Sequence, residues 1–318
     1  MDSPKYASFN ISSTVYKTVN RQEIPVWVFL PKTIPNRKAP LLIHFHGGFL
    51  IAGHALYPEW HAQWAVDYAI KYSAIMIAPN YRLMPESTGL EILSDIQDFW
   101  TWMQNDLTLY LKGIGSDVIP DYEKVLAHGE SAGGYLAIQS ALTRPDFIKA
   151  VIAAYPMIFV DSPWYTVPWN PNPQTGAPLV PKKVLDDHIT AMPKDKIFTG
   201  VFPPDRMVLV LAALHSGEIS GLIGTDDALF PAKLLEKAKD GQRMPFLFLL
   251  HGIEDNLVPC AETKQFLSLR TKKFGENSAV GKFVTGDHGM DVECTLETSW
   301  LNEGLIGTTE AWAVRCLD

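Results

Sequence analysis

The run His128-Gly129-Glu130-Ser131-Ala132-Gly133-Gly134 constrains this chain more than any other. Glycines two before and two after Ser131 let the backbone turn sharply from a strand into a helix, in a conformation that a Cβ would obstruct. The flanks agree with such a turn. Lys124 to His128 is a short, largely apolar strand candidate, and Gly134 to Leu142 is a helix candidate closed by Arg144-Pro145. A serine at the apex is held clear of its neighbours, which a poor nucleophile needs before a base and oxyanion donors can act on it. An ordinary glycine-rich turn would share the spacing, so the decision rests on whether an acid, a histidine and a donor loop follow the order this turn requires.

They do. Met244 to Pro259 holds a continuous apolar run, Phe246 to Leu250, then Glu254-Asp255 on the loop beyond its carboxyl end. Ligand chemistry collects there in open α/β sheets, and Asp255 ranks ahead of Glu254 as the acid. His288, 33 residues further on, also follows a short strand candidate and is the last of nine histidines, the only one beyond Asp255. A lone loop histidine is usually just solvated, but the order leaves no rival base. Upstream, Leu41 to Phe45 is a buried-strand run leading into His46-Gly47-Gly48-Phe49. The amides of Gly47 and Gly48, with that of Ala132 after the serine, are the expected oxyanion donors, each worth about 3 to 4 kcal/mol. His44 and His46 could instead be a His-x-His metal pair, but no further ligand set at metal spacing accompanies them, and no metal or cofactor is expected.

With these residues in place the chain resembles the hormone-sensitive-lipase-like carboxylesterases of the α/β-hydrolase superfamily. The resemblance rests on His46-Gly47-Gly48, on Asn80-Tyr81-Arg82-Leu83-Met84-Pro85-Glu86, on Asp95, on Gly129 to Gly134 and on the Asp255 and His288 loops, in the family order over residues 41 to 290. It implies an α/β-hydrolase fold, a mostly parallel sheet flanked by helices with an inserted cap, and a Ser131–His288–Asp255 acyl-enzyme mechanism on an ester. Two positions depart from the family pattern. Phe49 stands where a third glycine is usual and puts a bulky group beside the reacting centre. Glu130 replaces the usual Asp before the serine and is expected to be structural.

With 318 residues, 47% hydrophobic and 19% charged, the chain can bury a full core as one large α/β domain. A net charge of −8 without a lysine or arginine cluster argues against nucleic acid and other polyanions as partners, and leaves a small-molecule ester. The start, Met1 to Tyr6, has no apolar leader, no stretch approaches the roughly 18 apolar residues of a membrane span, and Cys260, Cys294 and Cys316 form no even framework. A cytosolic location follows as an expectation; a homodimer is left open.

Strands are expected at Ser8 to Thr18 and Glu23 to Leu30, an antiparallel opening, and then at Leu41 to His46, Ala74 to Pro79, Val125 to His128, Ala150 to Ala154, Phe246 to Leu250 and Lys282 to Val284, with helices between them such as Glu91 to Leu107. The interval 159 to 242 breaks this rhythm with Pro163, Pro168, Pro171, Pro173, Pro178 and Pro181 before turning helical near Met207 to His215 and Ala232 to Lys239. It is the expected cap, set on a core of 1 to 158 and 243 to 318. Trp164 and Trp169 are candidate pocket walls with Phe49, although packing of the cap onto the core would explain them equally. The expected activity is hydrolysis of a small to medium, mostly apolar ester or lactone. A tailoring enzyme that hydrolyses, transfers, cyclises or eliminates an acyl group on one metabolite is the alternative, and a catalytically silent small-molecule receptor is a third.

Overall fold

Apolar runs that are hydrophobic on both faces make the centre of the sheet. In the computed structural model, which describes residues 3–170, 172–173 and 178–314, Leu41, Leu42, Ile43, Ile75, Met76, Ile77, Val125, Leu126 and Ala127 are all within 1% of complete burial. The strands are β1 (Phe9–Val19), β2 (Gln22–Pro31), β3 (Lys38–Phe45), β4 (Ile75–Pro79), β5 (Ile119–Glu130), β6 (Ala150–Ala154), β7 (Phe246–Gly252) and β8 (Ala279–Val284), in the order β1-β2-β4-β3-β5-β6-β7-β8. β1 and β2 form the expected antiparallel opening. Their two-residue turn, Asn20 (φ 50°) and Arg21 (φ 63°), is left-handed at both positions, the geometry that matches strand twist in a tight hairpin. β2 also runs antiparallel to β4, and every pairing from β4 to β8 is parallel.

The helices outside the β6–β7 connection are α1 (Gln63–Lys71), α2 (Gly89–Asn105), α3 (Leu107–Gly113), α4 (Ala132–Thr143), α10 (Cys260–Phe274) and α11 (Ser299–Thr309); that connection carries α5 (Pro163–Thr166), α6 (Lys183–Ala191), α7 (Met207–His215), α8 (Ile219–Ile223) and α9 (Pro231–Lys237). They cover both faces of the sheet over two apolar cores. Thr88 and Glu91 close a reciprocal capping box on α2, and the buried Asp95 one turn later accepts from Arg82 Nε at 2.9 Å. α4 carries its apolar residues all round and is buried from Ala132 to Ala141, so it is a central helix.

The connection between β6 and β7 divides its work. Its last part leans on α4: Tyr135 Oη donates to Leu229 O (2.9 Å) and Gln139 Nε2 to Ala228 O (3.0 Å). Its middle part crosses the loops after β3 and β4, with Val201 N–H donating to Gly53 O (2.9 Å) and Leu83 N–H to Phe198 O (2.7 Å). Buried Glu86 ties it down, one carboxylate oxygen on Arg206 and the other on His188, both at 2.7 Å. Among the described residues no helix is long and apolar enough to cross a membrane, and the Met207 to His215 run is a nine-residue helix packed into the core. Pro171 and Cys316 lie outside the described residues; Cys260 and Cys294 are free thiols.

Candidate active site

Ser131 stands between the last residue of β5 and the first of α4 with φ 56° and ψ −117°, a strained conformation for a residue with a side chain. The neighbouring glycines make it attainable. A Cβ on Gly129 would sit 2.3 Å from the Gly133 carbonyl, and one on Gly133 would sit 1.9 Å from Phe45 O, so the turn passes under the end of β3 only if both lack side chains. Hydrogen bonds from Ser131 N–H to Ala154 O (2.8 Å) and from Met157 N–H to Ser131 O (3.2 Å) lock the turn to β6. Ser131 Oγ is buried and has no hydrogen-bond partner among the described residues.

Asp255 and His288 meet because β7 and β8 end side by side. A Cβ on Gly252 would lie 2.2 Å from Gly286 O, which shows how closely the two loops pass. His288 Nδ1 is 2.7 Å from Asp255 Oδ2, and the other carboxylate oxygen accepts from the N–H of Leu257 and of Val258, both at 2.9 Å. His251, on β7, adds a contact from Nε2 to Asp255 Oδ2 at 3.0 Å, with its Nδ1 on Thr263 (2.8 Å). Burial acts to raise the Asp255 pKa. The hydrogen bonds from His251 and His288, with the imidazole charge and the Val258 amide, outweigh it and hold the carboxyl well below the usual carboxylate range. Asp255 is therefore an anion that fixes the His288 ring by Nδ1 and leaves Nε2 for other work. Glu254, the rejected competitor, accepts from Gly286 N–H instead (2.6 Å).

The donor loop requires one correction. The Gly47 N–H, expected among the oxyanion donors, donates to Glu130 Oε1 at 2.9 Å. Glu130 Oε2 meets His44 Nε2 at the same distance, so the longer carboxylate bridges the donor loop and β3. The amides of Gly48 and Phe49 donate to no protein group among the described residues. Ala132, opening α4, has an N–H with no partner within its own helix. Gly48 (φ 106°) and Phe49 (φ 57°) are both left-handed, and a Cβ on Gly48 would come within 2.3 Å of Ala52 O.

These groups line one cavity of about 260 Å³, with Gly47, Gly48, Phe49, Glu130, Ser131 and His288 on one side and Trp60, Tyr155, Met207, Leu257 and Val292 around it. Phe49 is among the lining residues. Trp164 and Trp169 are not: they pack on each other at 4.7 Å, and Trp169 also packs on His215 at 4.9 Å. Trp164 Nε1 donates to Leu257 O at 2.9 Å, tying the connection to the Asp255 loop from outside the cavity. Trp60 and Tyr155 escaped the sequence argument because neither sits in a motif. Tyr155 did carry a signal, since it follows the strand after the helix that Ser131 precedes; its φ is 37° and its ring lies 4.5 Å from that of His288.

His44 and His46, the considered metal pair, point to different places. His46 Nδ1 lies 2.8 Å from Gly47 O and its ring stacks on Tyr81 at 4.3 Å. His44 joins His61 and His128 in a buried cluster whose nitrogens come within 4.8 Å of one another. The rings of His44 and His61 are parallel within 5° and 3.8 Å apart. Imidazole lone pairs lie in the ring plane, and parallel planes share no point, so an ion could not sit along both.

The family model that matches residues 42–192 describes an alpha/beta hydrolase fold. The chain is 30% identical to the "Probable carboxylesterase M8" of Phoma sp. over 98% of its own length and all of that protein, and 32% identical to the "Probable carboxylesterase clz11" of Cochliobolus lunatus over 58% of its length and 86% of that protein. It also shares 28% identity over 45% of its length with 6% of the "Non-reducing polyketide synthase stbA" of Stachybotrys bisbyi. A crystallised Pyrobaculum calidifontis esterase superimposes with a TM-score of 0.59 at 17% identity, covering 96% of this chain and 86% of that one, and so supports the fold. The chain belongs to the hormone-sensitive-lipase-like carboxylesterase family of α/β-hydrolases, and it is a hydrolase.

Proposed function

We propose that this enzyme hydrolyses a small to medium, mostly apolar carboxylic ester by a serine acyl-enzyme mechanism. The observation that carries it is the 2.7 Å contact between Asp255 and His288 beside a strained Ser131 in one cavity. His288 Nε2 takes the hydroxyl proton as Ser131 Oγ bonds to the ester carbonyl carbon, and Asp255 stabilises the imidazolium. The N–H groups of Gly48, Phe49 and Ala132 hold the oxyanion, with Glu130 steadying their loop through Gly47. Collapse of the tetrahedral species breaks the bond to the alcohol, which leaves with the proton from His288. Water, deprotonated by the same nitrogen, then releases the acid. Residues 159 to 242 act as the cap, closing the cavity through Met207.

A fluorophosphonate probe should label the parent at Ser131, and a panel of p-nitrophenyl esters should show turnover that falls with acyl length. Absence of both would overturn the proposal. Labelling without turnover of simple esters would favour the second reading, release or tailoring of a polyketide-type acyl group, which is supported by the likeness to a segment of a polyketide synthase.

Two substitutions read the cavity. Trp60→Ala removes a wall and should change the acyl-length preference, whereas Trp164→Ala should leave it unchanged, because that ring lies outside the cavity. The check is the ratio of kcat/KM for p-nitrophenyl octanoate and acetate in both variants. Phe49 crowds the alcohol side, and crowding of that kind costs about 1 to 3 kcal/mol, or one to two decades in rate. The enzyme should therefore cleave n-butyl acetate and barely touch tert-butyl acetate. Phe49→Gly should narrow the gap while lowering stability through the lost buried ring. An unchanged ratio would place the effect elsewhere.

A further inference from the structure

Trp60 is the inner end of a row of rings that continues to the surface. Tyr57 meets it edge to face at 5.3 Å and 85°, and Phe202 meets Tyr57 at 5.7 Å and 75°. Phe202 also meets His54 at 5.5 Å, and His54 leans on Trp27 at 4.8 Å. At the inner end, a Cβ on Gly48 would lie 3.2 Å from the Trp60 ring, so this ring is packed against the donor loop itself. At the outer end, Phe202 is 59% exposed. Its segment is nevertheless fixed, since the adjacent Val201 donates to Gly53 O at 2.9 Å. Burial pushes His54 down to about 4, so its ring brings no charge at neutral pH. Glu59, which lines the cavity as Glu130 does, is the carboxylate adjacent to Trp60 in the chain and disfavours an anionic guest.

We propose that Phe202, Tyr57 and Trp60 form an outer subsite, joined to the catalytic cavity through Trp60, that binds the distal end of the substrate as an uncharged aryl or other planar unsaturated group. This rests on the esterase reading for the position of the reacting carbonyl. The row explains what a buried core does not need: an exposed benzyl ring held beside two aromatic neighbours on an anchored segment. A planar guest edge-on or offset to such rings gains about two- to tenfold in affinity per good contact. A short ester, confined to the cavity, would not reach Phe202.

The test compares p-nitrophenyl 6-phenylhexanoate with p-nitrophenyl acetate in the parent, Phe202→Ala and Phe202→Tyr proteins. Phe202→Ala should lower the ratio of kcat/KM, long over short, by about fivefold through KM, and Phe202→Tyr should restore it. An unchanged ratio, or a loss carried by kcat, would overturn the subsite. Binding can be read without turnover. In a Ser131→Ala background, N-phenyl-6-phenylhexanamide followed by tryptophan fluorescence should bind several-fold more weakly when Phe202 is alanine. Equal affinities would sink the subsite whether or not the parent hydrolyses any ester.

Discussion

Replacing Ser131 by alanine should lower kcat by about four to six orders of magnitude, and His288→Ala should do nearly the same, while the double variant should lose little more than either alone. The reason is that one proton transfer needs both partners. Without Oγ there is no nucleophile for His288 to activate, and without the imidazole a hydroxyl that has no hydrogen-bond partner among the described residues has no base to take its proton. Whatever turnover survives then comes from the oxyanion donors and substrate binding, which both variants retain. Asp255→Asn should also be severe, because the carboxylate that orients Nδ1 at 2.7 Å becomes an amide and the preferred tautomer is lost. The measurement is kcat for the single and double variants on one p-nitrophenyl ester, with folded state checked by near-ultraviolet circular dichroism. Multiplicative losses in the double variant would mean that Ser131 and His288 do not share a step.

The parts of this site that the sequence made legible are those where chemistry demands a residue type and backbone geometry demands glycine. Ser131, Asp255 and His288 are candidates that order and strand ends alone pick out, the structure brings Asp255 and His288 within 2.7 Å, and α7 has the limits that its apolar run suggested. What was not legible depends on three-dimensional neighbours. β5 begins six residues before its expected start because Ile119, Pro120 and Asp121 pair with Lys38, Ala39 and Pro40, although Asp121, Glu123 and Lys124 leave the segment without a continuous apolar run. α10 buries only Cys260, Thr263, Phe266 and Arg270, a narrow stripe in a polar helix. α11 contains Gly304 and Gly307, which look like turn residues until Phe248 and Phe246 are seen against them: a Cβ would lie 2.2 and 2.3 Å from those rings. The oxyanion correction has the same origin. Pairing of Phe45 with Gly129 is what brings Glu130 under Gly47, and no spacing along the chain reveals it. Of the aromatic candidates, Trp164 sits in a conspicuous proline-rich stretch but packs on Trp169 away from the cavity, whereas Trp60 reaches the cavity from an unremarkable loop.

The buried histidines that serve no catalytic step should make the fold sensitive to acid. Burial pushes His46 down to about 3 and His128 down to about 4, and it holds His61 well below its ordinary value, helped by the neighbouring His44, His128 and Lys5. Glu130 and the Ile152 carbonyl oppose the shift at His128, and the Gly47 carbonyl does so at His46, without overcoming it. In the unfolded chain these rings, and that of His54, which burial pushes down to about 4, titrate near 6.5, so between that pH and the folded values the unfolded state binds about four more protons than the native one. Stability then falls as pH falls. Glu262, pushed up to about 7 by burial, works the other way: the native state takes up its proton first and gains stability down to about 4.5. Asp255, held low, begins to matter only below the usual carboxylate range. The net difference is about three protons, or about 4 kcal/mol per pH unit between 6 and 5, which is a large fraction of a typical domain's 5 to 15 kcal/mol. Guanidinium unfolding at pH 7.0, 6.0 and 5.0 should show the midpoint dropping steeply across that window. His61→Phe keeps a flat ring against His44 and removes one proton site, so its slope should be shallower by about 1.4 kcal/mol per pH unit. A parent midpoint that holds steady or rises from pH 7 to 5 would show that these rings are not held neutral in the native protein.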